Sequence, residues 1–562
     1  MTRGGGERTL AAMRRFTLLG AAVLVMISLS NPGCSGPAGT GASKAPRAAG
    51  SIRFDLAADP ANLNPLFLHQ DAASVEQQAA RLAFLPFVDL DAKGRLIPEL
   101  ITRVPSVENG DISSDGRTIV YHLRANVRWS DGVPVTAQDV LWTLHAIMDP
   151  NVPVPSREGY DLIDRASAKD AHTVVFHLKH AWAPAATTFF SYGFRPQFVL
   201  PAHVLRKQMP LAQAPFNAAP TVGDGPFTFV SWQRGESLLY KANPLYWRGS
   251  PKVQRLDIRV IPDPQTNLVM LRSGQLDWNL IAPVQQQTLR GASDIRYAYV
   301  STAVVAGAVF NLSHPPLDDV RVRRAIAMGV DREGISKKIT LGRYPVTNAI
   351  QPQFSWAYDS SVKEPSFDPA GSDALLDAAG WKRGADGMRR KNGKTLSLVY
   401  VQFPESMTGV RVATAIQAQL RSRGIAVELK SVSNAQLFLP SSRGGTLASG
   451  QFDMAYVPFT MGSDPDDSSI LACNAPSNYM RYCNEQVDGL ERQALRSTSM
   501  TERKRLYARI ERLVANDLPI LYLFNADYIY AYRKQLKAFS PNAFLPTWNA
   551  ARWAIAPSGP GR

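Results

Sequence analysis

Three cysteines in 562 residues exclude a disulfide-stapled scaffold and argue against a multi-cysteine zinc or iron–sulfur site. Neither Gly-x-Ser-x-Gly nor His-Glu-x-x-His occurs, so two familiar marks of serine hydrolases and zinc peptidases are missing. Histidine is scarce, with 8 residues. His172, His177 and His180 gather around one predicted strand, where their odd spacing sends His177 and His180 to opposite faces. They read as solvated strand histidines rather than metal ligands. Only one long apolar run is present, near the N-terminus, which excludes a multi-span membrane protein. Although the net charge is +15, no Lys/Arg stripe accompanies it. Arg321-Val322-Arg323-Arg324 and Arg389-Arg390-Lys391 are short and isolated, so solvated basic faces and no nucleic-acid partner are expected. The remaining composition, 45% hydrophobic and 19% charged, is that of an ordinary globular protein. The length admits about three to five domain-sized units.

The N-terminus carries a targeting pattern. Arg14 and Arg15 precede an apolar stretch over residues 16–29, too short for a comfortable membrane span and suited to a secretory signal. Residues 1–33 are expected to be a signal peptide, and 34–50, rich in Gly, Ser, Ala and Pro, a flexible tether. Cys34 stands where bacterial lipoprotein signals place a lipidated cysteine. Gly33 fits that pattern and Asn31 departs from it; the alternative is a signal cleaved nearby that leaves Cys34 unmodified. Cys473 and Cys483 are near enough in sequence to pair in an oxidising compartment, the other reading being two free buried thiols.

Beyond the tether, strands are predicted over 51–56, 87–91, 95–98, 118–123, 173–178, 223–232, 238–242 and 255–261 from period-two alternation and turn residues. Helices are predicted over 72–85 and 136–148, the latter with Thr136 and Asp139 near a capping box. Gly223 and Gly225 are read as permitting close backbone approach, because a lone Gly-x-Gly is poor evidence for a nucleotide site. A second half opens with an apolar run at 304–312. Strands at 396–401, 426–429, 452–457 and 520–524 then alternate with helices at 318–330, 368–379, 410–423 and 500–516. That alternation predicts an α/β unit with a largely parallel sheet.

Several local patterns recur in one order. Arg95-Leu96-Ile97-Pro98-Glu99-Leu100 is followed by Ser114-Asp115-Gly116-Arg117-Thr118 and by Val127-Arg128-Trp129-Ser130-Asp131-Gly132. Then come Gly223-Asp224-Gly225-Pro226-Phe227, Asn243-Pro244-Leu245-Tyr246-Trp247 and Leu317-Asp318-Asp319-Val320-Arg321. In this order they resemble the bacterial extracellular solute-binding proteins, family 5, the dipeptide-, oligopeptide- and nickel-binding class that serves ABC importers. The resemblance spans about 51–555. It implies an α/β, two-lobed periplasmic-binding-protein fold of type II, large cluster, with an extra β-rich subdomain inserted in the first lobe. Lobe I is expected at 51–305, including the insert at about 86–200. Lobe II is expected at 306–522, and 523–562 return to lobe I. Crossovers are expected near 304–312 and 518–524.

The implied function is capture of a peptide or similar small organic solute between the lobes and delivery to a membrane permease and its ATPase. The implied protein is an exported monomer at the cell envelope, with neither a catalytic residue nor a cofactor nor a protein-held metal. A nickel complex, a sugar, another metabolite or a chemosensory role is the alternative. Implied lining residues are His69, Gln70 and Asp71 from lobe one, and Trp356, Phe403, Glu405 and Arg411 from lobe two. Phe459 and Met461 would add an apolar wall. Peptide-binding members hold the ligand ammonium with an Asp shortly before an Asp/Glu-Pro. Here Asp464-Pro465 matches, and the ammonium position falls on Met461, which cannot pair with a cation. Asp464 or Asp466 could substitute if the loop shifts; the other reading for both acids is a turn and helix cap. The resemblance also implies a Cys473–Cys483 disulfide at the cleft edge.

Overall fold

The computed structural model describes residues 50–68, 75–191 and 197–556. The expected signal peptide, Cys34 and the triplet His69, Gln70 and Asp71 lie outside the described residues, as does the expected tether up to its last residue.

One mixed sheet of ten strands organises the chain. In chain order they are β1 (Ser51–Leu56), β2 (Phe227–Gln233), β3 (Ser237–Ala242), β4 (Arg255–Val260), β5 (Trp278–Ile281), β6 (Ile295–Phe310), β7 (Ser397–Gln402), β8 (Ala426–Ser431), β9 (Met454–Thr460) and β10 (Ile520–Arg533). The spatial order is β8-β7-β9-β6-β10-β5-β1-β4-β3-β2. β8, β7 and β9 run parallel, as do β5, β1 and β4. The pairings of β9 with β6, β6 with β10 and β10 with β5 are antiparallel, as are the hairpins that join β2, β3 and β4. The expected largely parallel sheet is therefore corrected to a mixed one. Its two longest strands cross the molecule in opposite directions, and short turns feed hairpins rather than helical crossovers.

Among the described residues, two large apolar cores and a smaller third lie along this sheet. The first gathers Ile52, Phe54, Tyr121, Trp129, Phe176, Trp278 and Trp553. The second gathers Val305, Ile326, Tyr400, Ile416, Tyr456, Leu506 and Phe524. Their side chains alternate in and out along each strand, so a strand with both faces covered reads as an apolar run. The first core is extended by the hairpin Val88–Leu90 with Leu96–Pro98 and by a three-stranded sheet of Thr118–His122, Thr173–Leu178 and Ile163–Asp170. Helix α1 (Val75–Ala83) packs nearby, and α2 (Ala137–Met148) starts where Asp139 accepts from the Thr136 N–H at 2.9 Å. Gly223 and Gly225 lie against the end of α1. The Gly225 N–H donates to the Ala83 carbonyl at 2.8 Å, and a Cβ on Gly223 would sit 2.2 Å from that oxygen.

The second core is flanked by α3 (Val320–Gly329), α4 (Arg332–Ile339), α5 (Met407–Ser422), α6 (Glu485–Arg496) and α7 (Met500–Asp517). All five starts are capped by side-chain acceptors: Asp319 on α3, Asp331 on α4, Ser406 on α5, Asn484 on α6 and Ser499 on α7. No helix among the described residues is long and apolar enough to cross a membrane.

Candidate functional site

The two large cores, each counted with the chain around it as one body, are joined where β6 and β10 run side by side. Their ladder runs from Ile295 opposite Arg533 to Ser301 opposite Asp527, breaks, and resumes from Val305 opposite Asn525 to Val309 opposite Ile520, with a smaller one-residue shift between Ala306 and Gly307. A break of this kind bends a strand pair. Its freed backbone groups are satisfied locally, as burial demands. Buried Asn525 donates from Nδ2 to the Thr302 and Val304 carbonyls, both at 2.9 Å, and its Oδ1 accepts from the Gln353 N–H at 3.0 Å. The Thr302 hydroxyl donates to the Ala526 carbonyl at 2.7 Å.

Beside this junction, β9 presents a free edge. β7 accompanies it only at Met454 and Ala455. The Met461 N–H donates to the Ala303 carbonyl at 2.8 Å, and Asn311 donates to the Asp453 carbonyl at 2.9 Å. Alternation along an antiparallel strand therefore turns Val457 and Phe459 toward β6 and turns Pro458 and Thr460 outward. Pro458 sits where its missing N–H costs no ladder bond. No further strand among the described residues meets that outer edge.

Past β9 the chain enters the Asp-Pro loop. Asp464 receives two hydrogen bonds from Arg503 on α7, Nη1 to Oδ2 at 2.8 Å and Nη2 to Oδ1 at 2.6 Å. Arg503 also donates from Nε to the Ala494 carbonyl at 3.0 Å, and its guanidinium lies 5.2 Å from the centre of the Trp356 ring. Trp356 in turn meets Tyr507 edge-on. These groups face a crevice of about 300 Å³ lined from both bodies: Leu96, Trp182 and Thr187 on one side, and Trp356, Asp464 and Arg503 on the other. At its rim the bodies touch. The Ala183 N–H donates to the Leu495 carbonyl at 2.7 Å, and the Leu495 side chain packs against the first core.

Behind the loop lies a group of buried acids. Burial pushes Asp466 up to about 7, although Ser468 donates to it. Burial, then the neighbouring Asp467, pushes Glu511 up to about 9. Glu491 is held well above the ordinary range by burial and by the neighbouring Asp467. Gln351 donates to Asp467 at 3.1 Å and to the Pro465 carbonyl at 2.7 Å, which fixes the back of the loop. No group of acids, histidines or cysteines able to hold a metal ion is found among the described residues.

The described residues singled out from the sequence divide into four sets. Trp356 and Asp464 meet at the crevice. Phe403, Phe459 and Met461 are buried in the second core, with Phe403 against Tyr456. Glu405 and Arg411 are exposed and do not line the crevice; both oxygens of Glu405 accept from the Asn434 N–H at 3.2 Å. Cys473 and Cys483 form a disulfide, with Cα atoms 4.5 Å apart. Sequence reasoning missed Arg503 and Asn525. Arg503 had a signal: it occupies the stripe shared by Leu506, Tyr507, Ile510 and Val514, where a cation needs a buried partner.

Residues 95–480 match the family described as bacterial extracellular solute-binding proteins, family 5 Middle. Protein XP55 of Streptomyces lividans is 29% identical over 98% of this chain and 96% of its own length. The oligopeptide-binding protein AppA of Bacillus subtilis is 23% identical over 97% of this chain and 99% of its own. Its structure in complex with a nonapeptide superposes with a TM-score of 0.76 at 21% identity, covering 90% of this chain and 99% of that one. NikA of Brucella suis in complex with Fe(III)-EDTA superposes at 0.79 with 22% identity, covering 90% of this chain and 100% of that one. The architecture is thus the two-lobed type II periplasmic-binding-protein fold. The chain belongs to the bacterial extracellular solute-binding proteins, family 5.

Proposed function

We propose that this protein is the capture subunit of an ATP-driven importer. It takes an extended peptide, or a small organic solute of similar shape, between its two bodies and hands it unchanged to a membrane permease. The observation that carries this reading is the outer edge of β9. Pro458 and Thr460 offer main-chain groups beside the junction of the two cores, as β-strand addition of an extended guest requires. Similar proteins carry peptide-binding names, which supports the choice of guest. Closure is a rotation at the break between Ser301 and Val305, and no bond in the solute is made or broken. The protein works exported, as a monomer at the cell envelope, anchored through Cys34 if that residue is lipidated.

Recognition of the peptide amine differs from that of relatives with an acid at the Met461 position. Met461 is buried and uncharged, and both oxygens of Asp464 are taken by Arg503. The affinity is therefore expected to survive N-acetylation of the peptide. Calorimetric titration with matched free and acetylated tripeptides tests this; a loss of affinity of tenfold or more on acetylation contradicts it. A compact metal chelate is the second reading. An apolar residue at the ammonium position suits a guest without a cationic end, and two structural neighbours are complexes with Ni(L-His) and Fe(III)-EDTA.

A further inference from the structure

A second concave site lies in the first body, apart from the junction. It encloses about 320 Å³, with Arg81, Glu99, Tyr246, Arg248, Lys252 and Arg552 on its walls. Arg81 sits at the floor with its side chain 1% exposed. Its Nε donates to Asp89 at 2.8 Å, while its Nη1 is buried without an acceptor among the described residues. Glu99 is 4% exposed; its Oε1 accepts from Arg248 Nη2 at 3.0 Å, and its Oε2 is buried without a donor among the described residues. Arg248 is held a second time, 4.4 Å from the centre of the Trp247 ring, over which Arg124 also lies at 4.1 Å. Lys252 and Arg552 are exposed on the same walls.

Two features define the guest. Four cations face two carboxylates, those of Glu99 and Asp89, so the pocket favours an anion. One buried guanidinium N–H lacks an acceptor and one buried carboxylate oxygen lacks a donor, and leaving either unmet costs about 1–3 kcal/mol. A single guest that accepts from Arg81 and donates to Glu99 relieves both. An oxyanion that keeps a proton near neutral pH does this, its bare oxygens accepting and its hydroxyl donating. Fully ionised sulfate has no hydrogen to offer, and its oxygens would repel the Glu99 carboxylate. We propose that this pocket binds a hydrogenphosphate group through Arg81, Arg248 and Glu99, with Lys252 and Arg552 drawing the anion in.

Titration calorimetry of the purified full chain in chloride buffer, with sodium phosphate and then sodium sulfate, tests this. Saturable phosphate binding is expected, with sulfate at least tenfold weaker. K252A/R552A, which changes only exposed side chains, should weaken phosphate severalfold while leaving the unfolding temperature in place. E99Q should narrow the preference, because an amide N–H can donate to sulfate. Vesicles containing phosphatidic acid distinguish the source of the phosphate group. Phosphate binding without vesicle co-sedimentation assigns the pocket to a soluble guest. Co-sedimentation that K252A/R552A abolishes assigns it to a lipid headgroup. Phosphate binding weaker than about 1 mM together with no vesicle binding overturns the proposal. Equal affinity for sulfate and phosphate in the unsubstituted protein overturns it as well, and needs no variant to fold.

Discussion

Arg503→Met tests the loop that borders the crevice. The substitution keeps most of the side chain's bulk and removes its charge. Asp464, 12% exposed, then loses both hydrogen-bonded contacts and is left near buried Asp466, with Asp467 behind it. Removing one member of a buried pair costs about 3–5 kcal/mol, because the remaining charge is stranded. The lost bond to the Ala494 carbonyl falls within that figure. With a urea dependence of about 2–3 kcal/mol per M, the unfolding midpoint of the second body should fall by about 1–2.5 M. Tryptophan fluorescence reports it, since Trp356 lies against Arg503. Asp464→Asn in the same chain removes the stranded charge, so R503M/D464N should recover about half of the loss or more. The reasoning is refuted if R503M costs less than about 1 kcal/mol, or if the two substitutions simply add.

Other expectations follow from the same contacts. An unfolded glutamate titrates near 4.3, whereas folded Glu511 is pushed to about 9, so the native state binds the extra proton in between. That contribution is complete below about pH 4.3 and is lost as pH rises through about 9, by at most about 1.4 kcal/mol per pH unit. Glu511→Gln should flatten the fall in stability between pH 5 and pH 9; thermal unfolding across that range checks it, and parallel curves refute it. Gly223→Ala drives a Cβ to 2.2 Å from the Ala83 oxygen and should cost about 1–3 kcal/mol, with β2 and α1 losing hydrogen-exchange protection first. Reducing the Cys473–Cys483 disulfide should cost about 2–3 kcal/mol in urea unfolding and increase proteolysis within 474–482.

Much of the fold was legible because burial leaves a periodic trace. β7 and α5 follow, within a few residues, from the strand pattern at 396–401, the helical spacing over 410–423 and the Gly424 stop. The strand Ile163–Asp170 was not legible, because most of its side chains face water and no apolar alternation marks it. The first half of β6 was hidden for the same reason: Arg296 and Tyr299 are exposed, and the predicted strand began only where the second core begins. At the site, Trp356 and Asp464 were named from the family pattern, yet their meeting through Arg503 was not. Asp464 and Arg503 stand 39 residues apart, and no local pattern encodes which loop acid a helical cation will find. The outward turn of Pro458 and Thr460 is set by the β9–β6 register, and their free edge by where β7 stops; both are properties of the sheet and not of the β9 sequence.

The central claim is that two bodies bend at the break in the β6–β10 ladder and close over a guest. Small-angle X-ray scattering of the guest-free protein, repeated at saturation with a peptide that binds by calorimetry, tests it most directly. A smaller radius of gyration on loading is predicted. An unchanged scattering curve at saturation contradicts it.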